Sequence, residues 1–184
     1  MATIRNIVLV HGGFVDGSGW QGVYDHLTAD GYRVAVVQNP TLSLAGDVAA
    51  TRQVLDGLGS PAVLVSHSYG GATNVKALVH IAALVPDQGE QLSVLINKYP
   101  GSIIEAATRP VAYDGTPGTD PYLEADTFRA AFAADLPIAT TPLMQAAQRP
   151  FGASCFTDAT AAVAWRTIPP LGTGRRRRPA HATG

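Results

Sequence analysis

Ser68 has the strongest claim to chemistry in this chain. It follows the apolar run 62–65 within Ser66-His67-Ser68-Tyr69-Gly70, one residue away from G-x-S-x-G because Ser66 stands where the first glycine usually is. A buried strand that breaks abruptly into a turn presents a hydroxyl at its tip, and small residues two positions either side let the backbones pass. Gly70 meets that need and Ser66 is small enough to be tolerated. A serine hydroxyl is a poor nucleophile at neutral pH, so it needs a base and an anion-stabilising pocket. Taken alone, the same residues suit a serine in an ordinary strand-to-helix loop equally well.

His11-Gly12-Gly13-Phe14 supplies what the serine turn lacks. This glycine turn follows the apolar run 4–10 and precedes the serine by about fifty-five residues. Two glycines can turn a backbone N–H, that of Phe14, toward the serine. With the N–H of Tyr69 it would form a two-donor oxyanion hole, each donor worth roughly 3–4 kcal/mol in comparable sites. His26 falls on a helix face and His80 in a strand, positions that suit packing or surface roles. No His/Cys/Asp grouping has metal spacing and no dinucleotide fingerprint is present, so no cofactor is expected.

The elements that must position these residues can be read from periodicity. Uniformly apolar strands are expected over 4–10, 32–37, 63–65 and 77–85. Trp20, Val23, Tyr24 and Leu27 mark one helix face, with Ser18 as a cap, and Leu44, Val48, Thr51, Leu55 and Leu58 mark another. Apolar strands alternating with amphipathic helices mean a parallel sheet covered on both faces. The fold class is therefore α/β, a three-layer α/β/α sandwich. Residues 1–87 form its core and 88–165 a small helical lid. In the lid, 100–121 reads as irregular and short helices are expected over 126–135, 142–148 and 157–165.

The tail, 166–184, reads as irregular: 169–184 is dominated by Arg, Pro, Gly and Ala, including four consecutive arginines at 175–178. A solvated tail is the first reading of that run, with an unspecific phosphate- or membrane-binding patch as its rival. The chain has 184 residues, 46% of them apolar and 15% charged, with a formal net charge of −1. That composition is globular and gives no general pull toward nucleic acid or membrane. Cys155 is the single cysteine, which excludes an intrachain disulfide and favours a reducing compartment. With no signal-peptide pattern and no apolar run of membrane-spanning length, the cytoplasm is the default expectation.

The chain resembles the α/β-hydrolase family, in particular its small esterases and hydroxynitrile-lyase-like members. The likeness rests on I-V-L-V-H-G-G-F, on G-S-G-W, and on V-S-H-S-Y-G-G followed by I-A-A-L-V-P-D, and it covers roughly residues 3–165. It implies Ser68 as nucleophile, Phe14 and Tyr69 as backbone donors, and His11, Gly12, Gly13, His67 and Gly70 as the residues that shape the pocket, the two histidines in structural roles. The substrate implied is a small carboxylic ester, hydrolysed through an acyl-enzyme.

Two departures from the family pattern bear on activity. Only residues 72–76 separate the serine turn from the next apolar run, too few for a crossover helix. The acid and histidine that family members carry after later strands have no clear counterpart. Asp87 is a substitute acid position that more naturally starts the lid, and His181 lies in the tail. After Trp165 no apolar strand is legible. Codons for Arg, Pro, Gly and Ala are G/C-rich, so an out-of-frame reading of GC-rich DNA would yield the tail's composition. The expectation is a truncated or frame-shifted relative, its fold incomplete toward the C-terminus and its activity impaired. The alternative is a catalytically dead relative acting as a binding module. Loss of the last strands would also expose a sheet edge to self-association.

Overall fold

The computed structural model describes residues 4–69, 77–98, 100–112, 119–161, 163–168 and 170–172. Strands β1 (Asn6–Val10), β2 (Arg33–Val37), β3 (Ala62–His67) and β4 (Ala77–Ile81) are all parallel. Every residue of β1 is buried, as a strand covered on both faces requires. Side chains alternate between two cores. Val8, Val10, Leu64 and Leu78 face helix α2 (Leu44–Gly57) through Val54, Leu55 and Leu58. Ile7, Leu9 and Val65 lie on the other face with Trp20 and with Leu27 of helix α1 (Gln21–Ala29).

Of the apolar face expected on α1, Trp20 is buried and Leu27 packs against it, whereas Val23 and Tyr24 remain exposed. The cap at this end is Asp16 rather than Ser18. Its carboxylate accepts from Ser18 N–H at 2.8 Å and opens the 3-10 turn Gly17–Trp20. At α2 the Ser43 hydroxyl accepts from Gly46 N–H.

The strand expected over 77–85 ends earlier, because Ala82 adopts a φ of 42° and bends the chain back. The lid then follows: helix α3 (Leu92–Ile96), strands β5 (Thr108–Ala112) and β6 (Thr119–Leu123), and helices α4 (Ala125–Phe132), α5 (Thr141–Ala146) and α6 (Ala153–Thr157). It has its own apolar centre, in which Leu92, Leu123, Phe128, Phe151 and Cys155 pack with Phe14 of the core.

Three expectations need correction. Residues 100–121 are not wholly irregular, since β5 and β6 form an antiparallel ribbon with Pro110 opposite Pro121. A free-standing ribbon has only edge strands and so tolerates residues that lack an N–H. The helix expected over 157–165 is absent, because Thr160 is drawn into backbone bonds with Gly89 and Glu90. Helix α6 ends at Thr157, and a short 3-10 turn follows at Ala164–Arg166. Finally, the chain does form a strand after Trp165. Strand β7 (Pro170–Gly172) pairs in parallel with β4 and completes the order β2-β1-β3-β4-β7. The short crossover segment 70–76, with Gly70, and the arginine run and His181 lie outside the described residues. No helix among the described residues is long and apolar enough to cross a membrane.

Candidate active site

The sheet delivers Ser68 to a turn directly after β3. Its φ is 55°, in the left-handed region that a non-glycine residue enters at a cost. Two bonds hold it there: Ser68 N–H donates to Ile81 O at 3.4 Å, and Ser68 O accepts from Leu84 N–H at 2.8 Å. The bend at Ala82 is thus what lets the chain after β4 close over the serine turn.

The Gly12-Gly13 loop meets this turn after β1. A Cβ on Gly12 would lie 2.8 Å from Ser68 Cβ, and one on Gly13 would lie 2.8 Å from the Phe151 ring. Only glycine permits both approaches. Phe14 follows with a φ of 65°. Among the described residues, no hydrogen-bond acceptor takes the N–H of Phe14 or of Tyr69.

Ser68 opens onto a cavity of about 420 Å³, walled by Phe14, Tyr69, Leu92, Phe132, Phe151 and Phe156 among others. The rings interlock edge-on: Phe14 and Phe151 centroids are 5.3 Å apart, Tyr69 and Phe151 5.0 Å, and Phe151 and Phe156 4.7 Å. Phe151 is the hub of this wall and escaped the sequence reading, since nothing in its local spacing ties it to residues 13 and 14. The only local signal is the glycine after it. Gly152 packs so tightly that a Cβ there would sit 2.3 Å from Leu42 O. Around it, Gly152 N–H donates to Thr41 O, Thr41 Oγ1 donates to Pro150 O and Ser154 Oγ donates to Leu42 O. The lid is thereby sewn to the loop after β2.

Each histidine near the turn is engaged elsewhere. His11 donates from Nδ1 to Gly12 O at 2.8 Å and accepts at Nε2 from Asn39 N–H at 3.0 Å, which fixes the neutral tautomer. Burial holds its pKa below the usual value, as it does for His67 and His80. His67 stacks edge-on against Trp20. His80 Nδ1 bonds Ser66 Oγ at 2.8 Å across the β3–β4 pair, so the serine at the first motif position has a partner on the neighbouring strand. Asp87 is paired with Arg166, which holds its carboxyl below the ordinary range. Among the described residues, none hydrogen-bonds the Ser68 hydroxyl, and no three His, Cys, Asp or Glu residues are grouped to hold a metal ion.

A parallel sheet, helices on both faces, a lid after the fourth strand and a strained serine at a strand tip define an α/β-hydrolase fold. A sequence profile of the alpha/beta hydrolase family matches residues 7–181, and the chain belongs to that family. Among solved structures it is similar to polyneuridine aldehyde esterase, with a TM-score of 0.75 at 17% identity, covering 92% of this chain and 79% of that one. Methylesterase MES16 from Arabidopsis gives 0.70 at 18% identity, with coverage of 92% and 77%. A pyrethroid hydrolase from Sphingobium faniae gives 0.70 at 21% identity, again with 92% and 77%. No curated protein matches the chain.

Proposed function

We propose that the chain is a serine hydrolase of small carboxylic esters with an apolar acyl or alcohol group. The observation that carries this reading is Ser68 at a φ of 55°, opening onto the aromatic-walled cavity. Strain of this kind persists where the surrounding structure over-determines it, which is characteristic of functional turns. Two of the similar structures are esterases by name, which favours the same substrate class.

In this reading Ser68 Oγ attacks the ester carbonyl and loses its proton. The carbonyl oxygen becomes an oxyanion held by the N–H groups of Phe14 and Tyr69. Collapse expels the alcohol, which takes up a proton, and leaves an acyl-enzyme that water then hydrolyses. In this reading no base among the described residues takes that proton, water carries it and turnover is slow. Removing triad members from such enzymes leaves about 10³–10⁴-fold acceleration from the oxyanion hole and binding alone.

Hydrolysis of an activated aryl ester tests the reading. Weak turnover that Ser68→Ala abolishes supports it, and turnover unchanged in that variant refutes the assignment of Ser68. That no base bonds Ser68 among the described residues favours a second reading, a catalytically silent relative that binds an apolar small molecule in the cavity. A fluorophosphonate separates the two, because it labels an active serine stoichiometrically and leaves a silent one untouched.

A further inference from the structure

One side chain of the lid touches both loops that face Ser68. The Phe151 ring, 2% exposed, fills the space a Cβ on Gly13 would need, with Cδ2, Cε2 and Cγ at 2.8, 2.9 and 3.0 Å from it. The same ring stands 5.3 Å from the Phe14 ring, tilted by 51°, and 5.0 Å from the Tyr69 ring, edge-on at 81°. The backbone N–H groups of Phe14 and Tyr69 find no acceptor among the described residues.

Phe151 is held by its own backbone and by its neighbours'. Arg149 N–H donates to Phe14 O at 3.3 Å, and Pro150 O accepts from Thr41 Oγ1 at 2.7 Å. Phe151 N–H donates to Pro121 O of β6 at 3.2 Å, and Gly152 N–H donates to Thr41 O at 2.6 Å. Four consecutive residues are thus anchored to three separate segments. Phe14, by contrast, has a φ of 65°, in a region that bulky residues avoid. Such a backbone persists only where its surroundings over-determine it. The bond from Arg149 and the Phe151 ring packed on Gly13 and Phe14 are contacts of that kind.

We propose that Phe151 is a positioning residue for the oxyanion hole, its ring setting the N–H groups of Phe14 and Tyr69 toward one point beside Ser68. This role rests on the ester-hydrolase reading. Ring pairs constrain the distance and tilt of both partners, so one ring that meets Phe14 and Tyr69 relates the two donors to each other. Donors aligned in advance need no rearrangement as charge develops on the carbonyl oxygen. The ring also lines the cavity, so direct contact with substrate is the competing explanation for any loss on its removal. The two differ in how the loss depends on the length of the acyl group.

Phe151→Leu and Gly13→Ala disturb the contact from its two sides, and each is assayed in the full chain on 4-nitrophenyl acetate and 4-nitrophenyl hexanoate. Positioning lowers kcat roughly 10–100-fold on both esters alike with KM nearly unchanged, short of the 10²–10³-fold for outright loss of one donor. A loss confined to KM, or absent on the acetate and large on the hexanoate, makes Phe151 a substrate contact only and overturns the role. A crystal structure of Phe151→Leu gives a readout that needs no activity. The Phe14 and Tyr69 nitrogens shift relative to Ser68 if the ring sets them, and unmoved nitrogens overturn the proposal. Shifted nitrogens in a chain that no fluorophosphonate labels leave the positioning standing and sink the ester reading. Where neither variant folds, a crystal structure of the wild-type chain with a phosphonate on Ser68 decides. The expected result is one phosphonate oxygen within about 2.7–3.1 Å of both nitrogens and the ring still on Gly13, and a ring turned away from Gly13 overturns the proposal.

Discussion

Gly12 and Ser68 touch: a Cβ on the glycine would lie 2.8 Å from the Cβ of the serine, with His67 O and Ser68 Oγ both at 3.4 Å. The two loops that would bind a developing oxyanion are therefore packed directly on one another. Gly12→Ala must push them apart, at about 1–3 kcal/mol of overpacking. Fluorophosphonate labelling of Ser68 is expected to fall more steeply than the melting temperature. Labelling at the wild-type rate would show that the contact has no bearing on the serine.

Ser68 holds a left-handed backbone that glycine adopts freely. Ser68→Gly is expected to stabilise the fold by roughly 0.5–1 kcal/mol, the relief of strain less the added chain entropy of glycine. Ser68→Ala keeps the strain and gains nothing. Urea denaturation of the two variants side by side checks this. Equal midpoints would mean that the turn is not strained.

Stability should depend on the buried histidines. His11, His67 and His80 all have pKa values lowered from 6.5 by burial. Below 6.5 the unfolded chain binds more protons than the folded one, so stability is full above that value and is lost as pH falls toward the folded values. Asp47, raised from 3.8, has the opposite sign: its contribution is full below 3.8 and falls as pH rises toward its folded value. The urea midpoint is therefore expected to drop between about pH 7.5 and pH 5.5 at constant m-value. A flat profile there contradicts the neutral, buried imidazoles.

Cys155 is 2% exposed and its thiol is pushed up to about 12, chiefly by burial. Almost no thiolate is present at neutral pH, so a maleimide should react only as the lid opens. Modification that is slow in buffer and fast in denaturant is the expected outcome. Immediate reaction of one equivalent in the native protein would place the thiol on the surface.

Much of the core was legible because its signals are local. The runs that became β1, β2 and β3 are mostly apolar, and glycines and a small serine mark the two turns that meet at Ser68. The missed parts have distant causes. Strand β7 is Pro-Leu-Gly, with no strand character of its own, and exists through its pairing to Leu78, Val79 and His80. The ribbon of β5 and β6 was hidden by two prolines that edge strands tolerate. Asp47 sits on a helix that reads as half-exposed, and its burial depends on the loop it bonds at Thr41. Ser66 looked like an imperfect glycine, whereas its hydroxyl answers His80 on the next strand.

The seam joining residues 150–154 to Thr41 and Leu42 also fixes one wall of the cavity, through Phe151. Three hydrogen bonds close that rim, and a Cβ on Gly152 would lie 2.3 Å from Leu42 O. Other parts of the cavity wall come from α3, through Leu92, Leu95 and Ile96, and from the following segment, through Pro100 and Ser102. The outline of that cavity, and with it the shape of what fits, depends in part on α3 and the segment after it.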